Sequence, residues 1–264
     1  MILENVTLGQ YFPGDSPLHR MDPRAKILCA VALIVAIFAA SSFWGYGAMF
    51  LFIALCVALS RINVKFVVKG LKPVWVIILL TFVMNLFLST GGDVIFRWRF
   101  IRVTRMGLVR AVQMAFRLAL LICSTQILTL TTSPIALTDG LERLMRPLQK
   151  IGFPAHELAM MMSIALRFIP TLIEETQKII KAQMARGADF ESGNIVRRAK
   201  AMLPILVPLF VSAFRRADEL AMAMEARCYR GGKGRTRMKI TKFGTIDLCA
   251  ALLTAGILAL EIWL

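Results

Sequence analysis

Acidic residues are scarce in this chain. Sixteen Asp and Glu stand against thirty-two Lys and Arg, leaving a formal net charge of +16. Histidine is scarcer still, with only His19 and His156 in 264 residues. Neither sits at a ligand spacing, so no metal is expected. The five cysteines (29, 56, 123, 228 and 249) include no Cys-x-x-Cys pair, which excludes the common zinc and redox signatures. Four of them lie in apolar runs and read as small buried hydrophobes. The N-terminus lacks the basic-then-apolar pattern of a signal peptide. A phosphate loop is missing too. Gly231-Gly232-Lys233-Gly234-Arg235-Thr236 fails the Gly-x-x-x-x-Gly-Lys-Ser/Thr form, because Arg227 takes the first Gly position and Gly234 follows the Lys. It reads as a solvated turn. With no nucleophile, metal or nucleotide pattern, neither an enzyme nor a cofactor is expected.

Apolar residues are what the chain has in excess. They make up 58% of it, with a mean hydropathy of +0.68, and they fall in runs near the length that crosses a bilayer. Spans are expected at about 27–42, 46–60, 73–89, 107–130 and 244–263. In the first break, Ser41–Gly47, Trp44 and Tyr46 suit a membrane interface and the glycines suit a tight turn. Arg61, Lys65, Lys69 and Lys72 follow with nothing acidic between them, so that loop is expected on the cytosolic side. Arg97, Arg99, Arg102 and Arg105 break the rule. The alternation in Phe96-Arg97-Trp98-Arg99-Phe100 suits a small interfacial hairpin.

The positive charge does not point to nucleic acid. Residues 131–243 hold 19 basic and 10 acidic residues, flanked on both sides by apolar runs. A basic block beside membrane spans is the positive-inside signature. The chain therefore divides into a cytosolic N-terminal segment (1–26), a membrane domain of four helices (27–130), a cytosolic coupling domain (131–243) and a last transmembrane helix (244–264). The coupling domain reads as long amphipathic helices. One carries Leu158, Met161, Met162, Ala165, Phe168, Ile169 and Leu172 on one face, with a kink at Pro170. A second starts near Met202 and runs to Arg227, with Arg215 and Arg216 facing Asp218 and Glu219. Met160, Met161 and Met162 suit either a repacking partner face or the filling between these helices.

Within this segment a short sequence occurs twice. Ala182-Gln183-Met184-Ala185-Arg186-Gly187 returns 41 positions later as Ala223-Met224-Glu225-Ala226-Arg227-Cys228. Ordinary helix termination explains either copy alone, since a late cation and a C-terminal Gly are both favourable. The pair suggests docking. Small Ala residues allow close approach, and Arg offers a fork of donors to a partner's carboxylates. Elsewhere, Asp22-Pro23 reads as a helix start, with Arg24 and Lys26 anchoring the first span at the interface. Arg110 and Arg117 share one side of the fourth span, and Arg117 is expected to face the protein interior or a partner.

Three stretches carry a family resemblance: Gly14-Asp15-Ser16-Pro17-Leu18-His19-Arg20-Met21-Asp22-Pro23-Arg24-Ala25-Lys26, then Phe153-Pro154 through Arg167-Phe168-Ile169-Pro170, then the two Ala-Arg-x copies. Together they resemble the transmembrane component, EcfT, of energy-coupling factor transporters. Met21 stands where Leu is more usual. The resemblance implies a non-catalytic scaffold in the cell membrane. Its Ala185-Arg186-Gly187 and Ala226-Arg227-Cys228 ends would lie in grooves of two ATPase subunits. A small substrate-binding membrane subunit would ride on the same scaffold for vitamin or trace-metal uptake. The segment from Thr7 to Tyr11 resembles the shared form of the family, which serves several substrate-binding subunits. The rival reading is a self-contained secondary transporter, with Arg117 near a substrate path.

Overall fold

Small polar residues decide where the apolar runs become helices. Ser16 caps the four-residue α1 (Pro17–Arg20). Asp22 caps α2 (Pro23–Ala39), its Oδ1 accepting the Arg24 N–H at 2.9 Å with Pro23 opening the helix. That is the start the Asp-Pro pair predicts, because Asp satisfies an orphan donor and Pro has none to satisfy. After α3 (Phe43–Ser60), Asn63 caps α4 (Val64–Leu71). A 3-10 turn at Lys72–Val74 leads into α5 (Trp75–Leu88). Strands β1 (Val94–Trp98) and β2 (Ile101–Thr104) pair antiparallel as the expected hairpin. Thr104 then caps α6 (Arg105–Thr131), and α7 (Pro134–Met145) follows. The remaining helices are α8 (Ala155–Ala185), α9 (Ile195–Ala226) and α10 (Thr245–Trp263).

This computed structural model describes residues 11–88, 94–98, 101–188, 190, 194–232 and 243–263. The chain is an all-α integral membrane protein with one two-stranded hairpin among the described residues. It forms two compact units. One holds the described residues up to Arg143 together with α10; the other runs from Leu144 through α8 and α9. In the first unit, α6 lies against α2, α3, α4 and α5, and α10 lies against α2. Its core is Leu33, Ala36, Ile37, Ala40, Tyr46, Met49, Ile53, Leu120 and Ile127. In the second unit α8 packs against α9, and Glu175 joins them by pairing with Arg216 at 3.1 Å and accepting the Ser212 hydroxyl.

Among the described residues, five helical stretches are long and apolar enough to cross a membrane by length and composition: Phe43–Ser60, Val64–Phe87, Arg105–Thr131, Ala155–Ala185 and Thr245–Trp263. The number matches the expectation. α2, the expected first span, has 17 residues and stands at the short end of the range that crosses a bilayer. α8, expected as an amphipathic cytosolic helix, is also long and apolar enough to be among the five.

Several local expectations are corrected. The glycines at 45 and 47 do not make the turn after α2; Ala40–Ser42 does, and both glycines are inside α3. The basic stretch at 61–72 is not a loop but mostly α4, with Val67 turned inward. The helix expected from Met202 begins at Ile195, since Pro204 and Pro208 fall within it without ending it. Arg216 pairs with Glu175 on the neighbouring helix, not with Asp218 or Glu219 of its own. Cys249 is exposed, unlike the part-buried Cys29, Cys56 and Cys123. Thr7–Gln10, Arg99, Phe100 and the basic run 233–236 lie outside the described residues.

Arg117 and Arg110 also part company. Arg110 is exposed. Arg117 donates from Nη2 to the Ala40 carbonyl at 2.7 Å and sits 5.8 Å over the Tyr46 ring. Tyr46 donates its hydroxyl to the same carbonyl at 3.1 Å. The charge in the apolar helix is thus spent on the open C-terminus of α2, where a cation suits the dipole.

Candidate functional site

The two copies of the repeat end their helices with one geometry. α8 stops at Ala185, Arg186 is its C-cap at φ −86°, ψ 6°, and Gly187 turns left-handed at φ +85°. α9 stops at Ala226, Arg227 is its C-cap at φ −91°, ψ 14°, and Cys228 turns left-handed at φ 57°. The hydrogen bonds agree as well. Gly187 N–H donates to Met184 O at 2.9 Å, and Ala188 N–H donates to Gln183 O at 3.0 Å. In the second copy Cys228 N–H donates to Glu225 O at 2.8 Å, and Tyr229 N–H donates to Met224 O at 3.0 Å. Both are Schellman closures, which satisfy the last helical carbonyls internally. The repeat in sequence is therefore a repeat in backbone.

This closure leaves side chains free to meet something else. Ala182, Ala185, Arg186 and Gly187 are exposed, as are Ala223, Ala226, Arg227 and Cys228. Neither arginine is needed to seal its own helix, because backbone N–H groups do that. Each site thus offers two small residues at i and i+3 on one face, with a guanidinium at the tip. A carboxylate-lined groove could approach such a ridge closely and take the fork of donors.

Beside Arg227 the second unit opens a cleft of about 440 Å³. Met160 and Ile164 of α8 and Leu220 and Met224 of α9 supply its apolar wall, while Arg227 and Arg230 stand at its rim. Met161 and Met162 point elsewhere and are 54% and 40% exposed. They do not fill the space between the helices.

Cys228 is the weak point in the match. A left-handed residue with a Cβ is strained, by about 1–2 kcal/mol, whereas Gly is not. Cys228→Gly is expected to raise the thermal midpoint of the purified chain slightly. Gly187→Val should lower it. Midpoints moving the other way would contradict the left-handed assignment.

Sequence reasoning misses a second constellation, in the first unit. Asp22 and Asp247 are 2% and 4% exposed. The Asp22 N–H donates to Asp247 Oδ1 at 2.9 Å, and Asp247 Oδ2 accepts the Gly244 N–H at 2.7 Å. Lys26 is no interfacial anchor. It is buried, and its ammonium donates to Thr131 O at 2.9 Å and lies 3.3 Å from Thr132 Oγ1, closing the end of α6. A buried polar group holds position only when it is partnered, and here backbone groups partner it. An aspartate and a glutamate inside the last apolar run, Asp247 and Glu261, were the available signal, because acids there are costly.

The cobalt transport protein family, CbiQ, matches residues 14–239. A protein of Clostridium kluyveri named energy-coupling factor transporter transmembrane protein EcfT is 54% identical over 99% of both chains. Proteins of the same name from Acidaminococcus fermentans and Thermosediminibacter oceani are each 56% identical, covering 98% and 97% of this chain and 96% of their own lengths.

Proposed function

The chain belongs to the EcfT family of energy-coupling factor transporter transmembrane proteins, and from that premise we propose that it is the coupling scaffold of an ATP-driven importer. Ala185-Arg186-Gly187 and Ala226-Arg227-Cys228 dock two ATPase subunits, one at each helix end. The observation that carries this reading is the pair of identical closures, each presenting exposed Ala and Arg. Two equal ridges suit two similar grooves. The scaffold is itself non-catalytic, and hydrolysis belongs to the docked subunits.

The basic balance of 131–243 supports a cytosolic coupling domain and a location in the cell membrane. The exposed Met161 and Met162 suit a face that repacks against a small substrate-binding membrane subunit. Uptake of a vitamin or trace metal is the fitting task.

Purification of the full chain from its native membrane in mild detergent tests the proposal. Two ATPase subunits and a small membrane protein are expected to accompany it. A chain that purifies alone and transports when reconstituted alone refutes the scaffold reading.

A further inference from the structure

The chain crosses between its two units twice. It leaves the first unit after Arg143, near the end of α7, and returns ahead of α10. Described residues flanking both crossings meet at one place, the start of α2. On the outgoing side, the Arg143 guanidinium stands 3.8 Å from Asp22 Oδ2, with side chains only 10% and 1% exposed. On the returning side, the Asp22 N–H donates to Asp247 Oδ1 at 2.9 Å, in the first turn of α10. Neighbours of Asp22 reinforce each side. A Cβ on Gly140 of α7 would lie 2.9 Å from the Pro23 Cβ, so this helix sits hard against the start of α2. Arg24 lies over the Phe243 ring at 5.5 Å, just before α10.

Helix capping does not account for this arrangement. The cap uses only Oδ1, which takes the Arg24 N–H. The other oxygen, Oδ2, is buried and accepts no hydrogen bond, and Arg143 faces it as a counter-charge. A neutral Asn at this position would cap equally well. The negative charge is surplus to the cap; it is shared between Arg24, whose Nε stands 3.8 Å from Oδ1, and Arg143, at the point where the chain departs.

We infer that Asp22 is a positioning residue for transport: its carboxylate ties the outgoing side to the start of α2, where its backbone N–H also holds Asp247 of the returning side. Movement of the second unit is thereby delivered to α2 and α10 together, rather than absorbed at the crossings. This inference rests on the scaffold reading above. Coupling is a free energy between sites, so it can be lost without loss of either site.

The test uses the complete transporter in proteoliposomes, with ATP hydrolysis and uptake measured separately. Asp22→Asn and Arg143→Gln should each keep every subunit and hydrolyse ATP within about twofold of wild type, while uptake per ATP falls roughly tenfold or more. The double variant should be no worse than the worse single one, and Arg143→Lys should keep most uptake. Unchanged uptake per ATP in both single variants overturns the inference. So does joint loss of assembly, hydrolysis and uptake, which marks a merely structural role, and so does an additive double variant. Hydrogen exchange on the full chain alone gives a second reading. In Asp22→Asn, amides near Arg143 should exchange faster by roughly tenfold, and in Asp247→Ala those in the first turn of α10 should do so, because the returning bond is donated by the Asp22 backbone and survives a side-chain change there; α8 should be unchanged in both. Exchange that stays unaltered at either crossing also overturns the tie. A wild-type chain that holds no ATPase refutes the scaffold reading before any variant is made, so the two failures are distinguishable.

Discussion

Reversing both arginines, Arg186→Glu with Arg227→Glu, is expected to abolish ATP-driven uptake while the chain still inserts and folds. Both side chains are exposed. The helix ends they cap are closed by backbone hydrogen bonds from residues 187, 188, 228 and 229. Among the described residues neither helix end depends on the charge, so the loss is expected at a partner. Truncating one member of a desolvated interfacial charge pair costs about 2–5 kcal/mol, and reversal adds repulsion. At 1.4 kcal/mol per tenfold, each site should lose at least roughly thirtyfold in affinity. The measurement is ATPase content after purification, followed by uptake in proteoliposomes. The single variants matter too. If one site alone sustains assembly, the two ridges differ in weight although they match in geometry. Normal assembly and uptake in the double variant would sink the docking role of both.

A second large effect is expected where α10 meets α3. Glu261 is 3% exposed, and neither carboxylate oxygen accepts a hydrogen bond. Its Oε2 lies where a side chain on Gly45 would begin, only 2.2 Å from an ideal Cβ. Gly45 stands in the first turn of α3, and Ser42 leaves that turn without a side-chain cap. Open N–H groups with a positive partial charge there explain why a carboxylate is tolerated. Gly45→Ala must push Glu261 aside. Overpacking costs about 1–3 kcal/mol, and 1 kcal/mol moves the midpoint of a protein of this size by roughly 2–4 °C. A fall of roughly 3–10 °C in detergent is expected. Adding Glu261→Ala should restore most of it, since the obstruction is then gone. A pair of variants that destabilise independently would show that the two residues do not meet.

The broad architecture was legible because membrane helices declare themselves by length and by the charges at their ends. Asp22-Pro23 announced α2, and the alternation around Arg97 announced the hairpin. The matched helix ends were legible because a repeated Ala-Arg-x tripeptide reflects a repeated backbone closure. What stayed hidden depends on distance in space. Gly45 looks like a turn glycine until Glu261, far along the chain, is brought beside it. Lys26 looks like an interfacial anchor until the end of α6 supplies two acceptors. Arg215 and Arg216 looked paired within their own helix, but Glu175 on α8 competes at closer range for Arg216. The 61–72 stretch looked like a loop because its lysines hide a short amphipathic helix among basic residues. At 61–72 the helical spacing itself is easily missed; for Lys26 and Arg216 a long-range partner decides the outcome.

The bond from the Asp22 amide to Asp247 spans 225 residues, and so does the contact between Thr254 and Cys29. Chains are made from the N-terminus at about 5–20 residues per second. The first long helix must therefore wait for the last, for roughly 10–45 s of synthesis. During that interval the face of α2 that packs on α10 has no partner, and Arg143 is available to the Asp22 carboxylate before Asp247 is. A ribosome that stalls late leaves a chain whose membrane helices are nearly all made but whose opening segment has not closed. Closure of the first unit thus waits until α10 has been made.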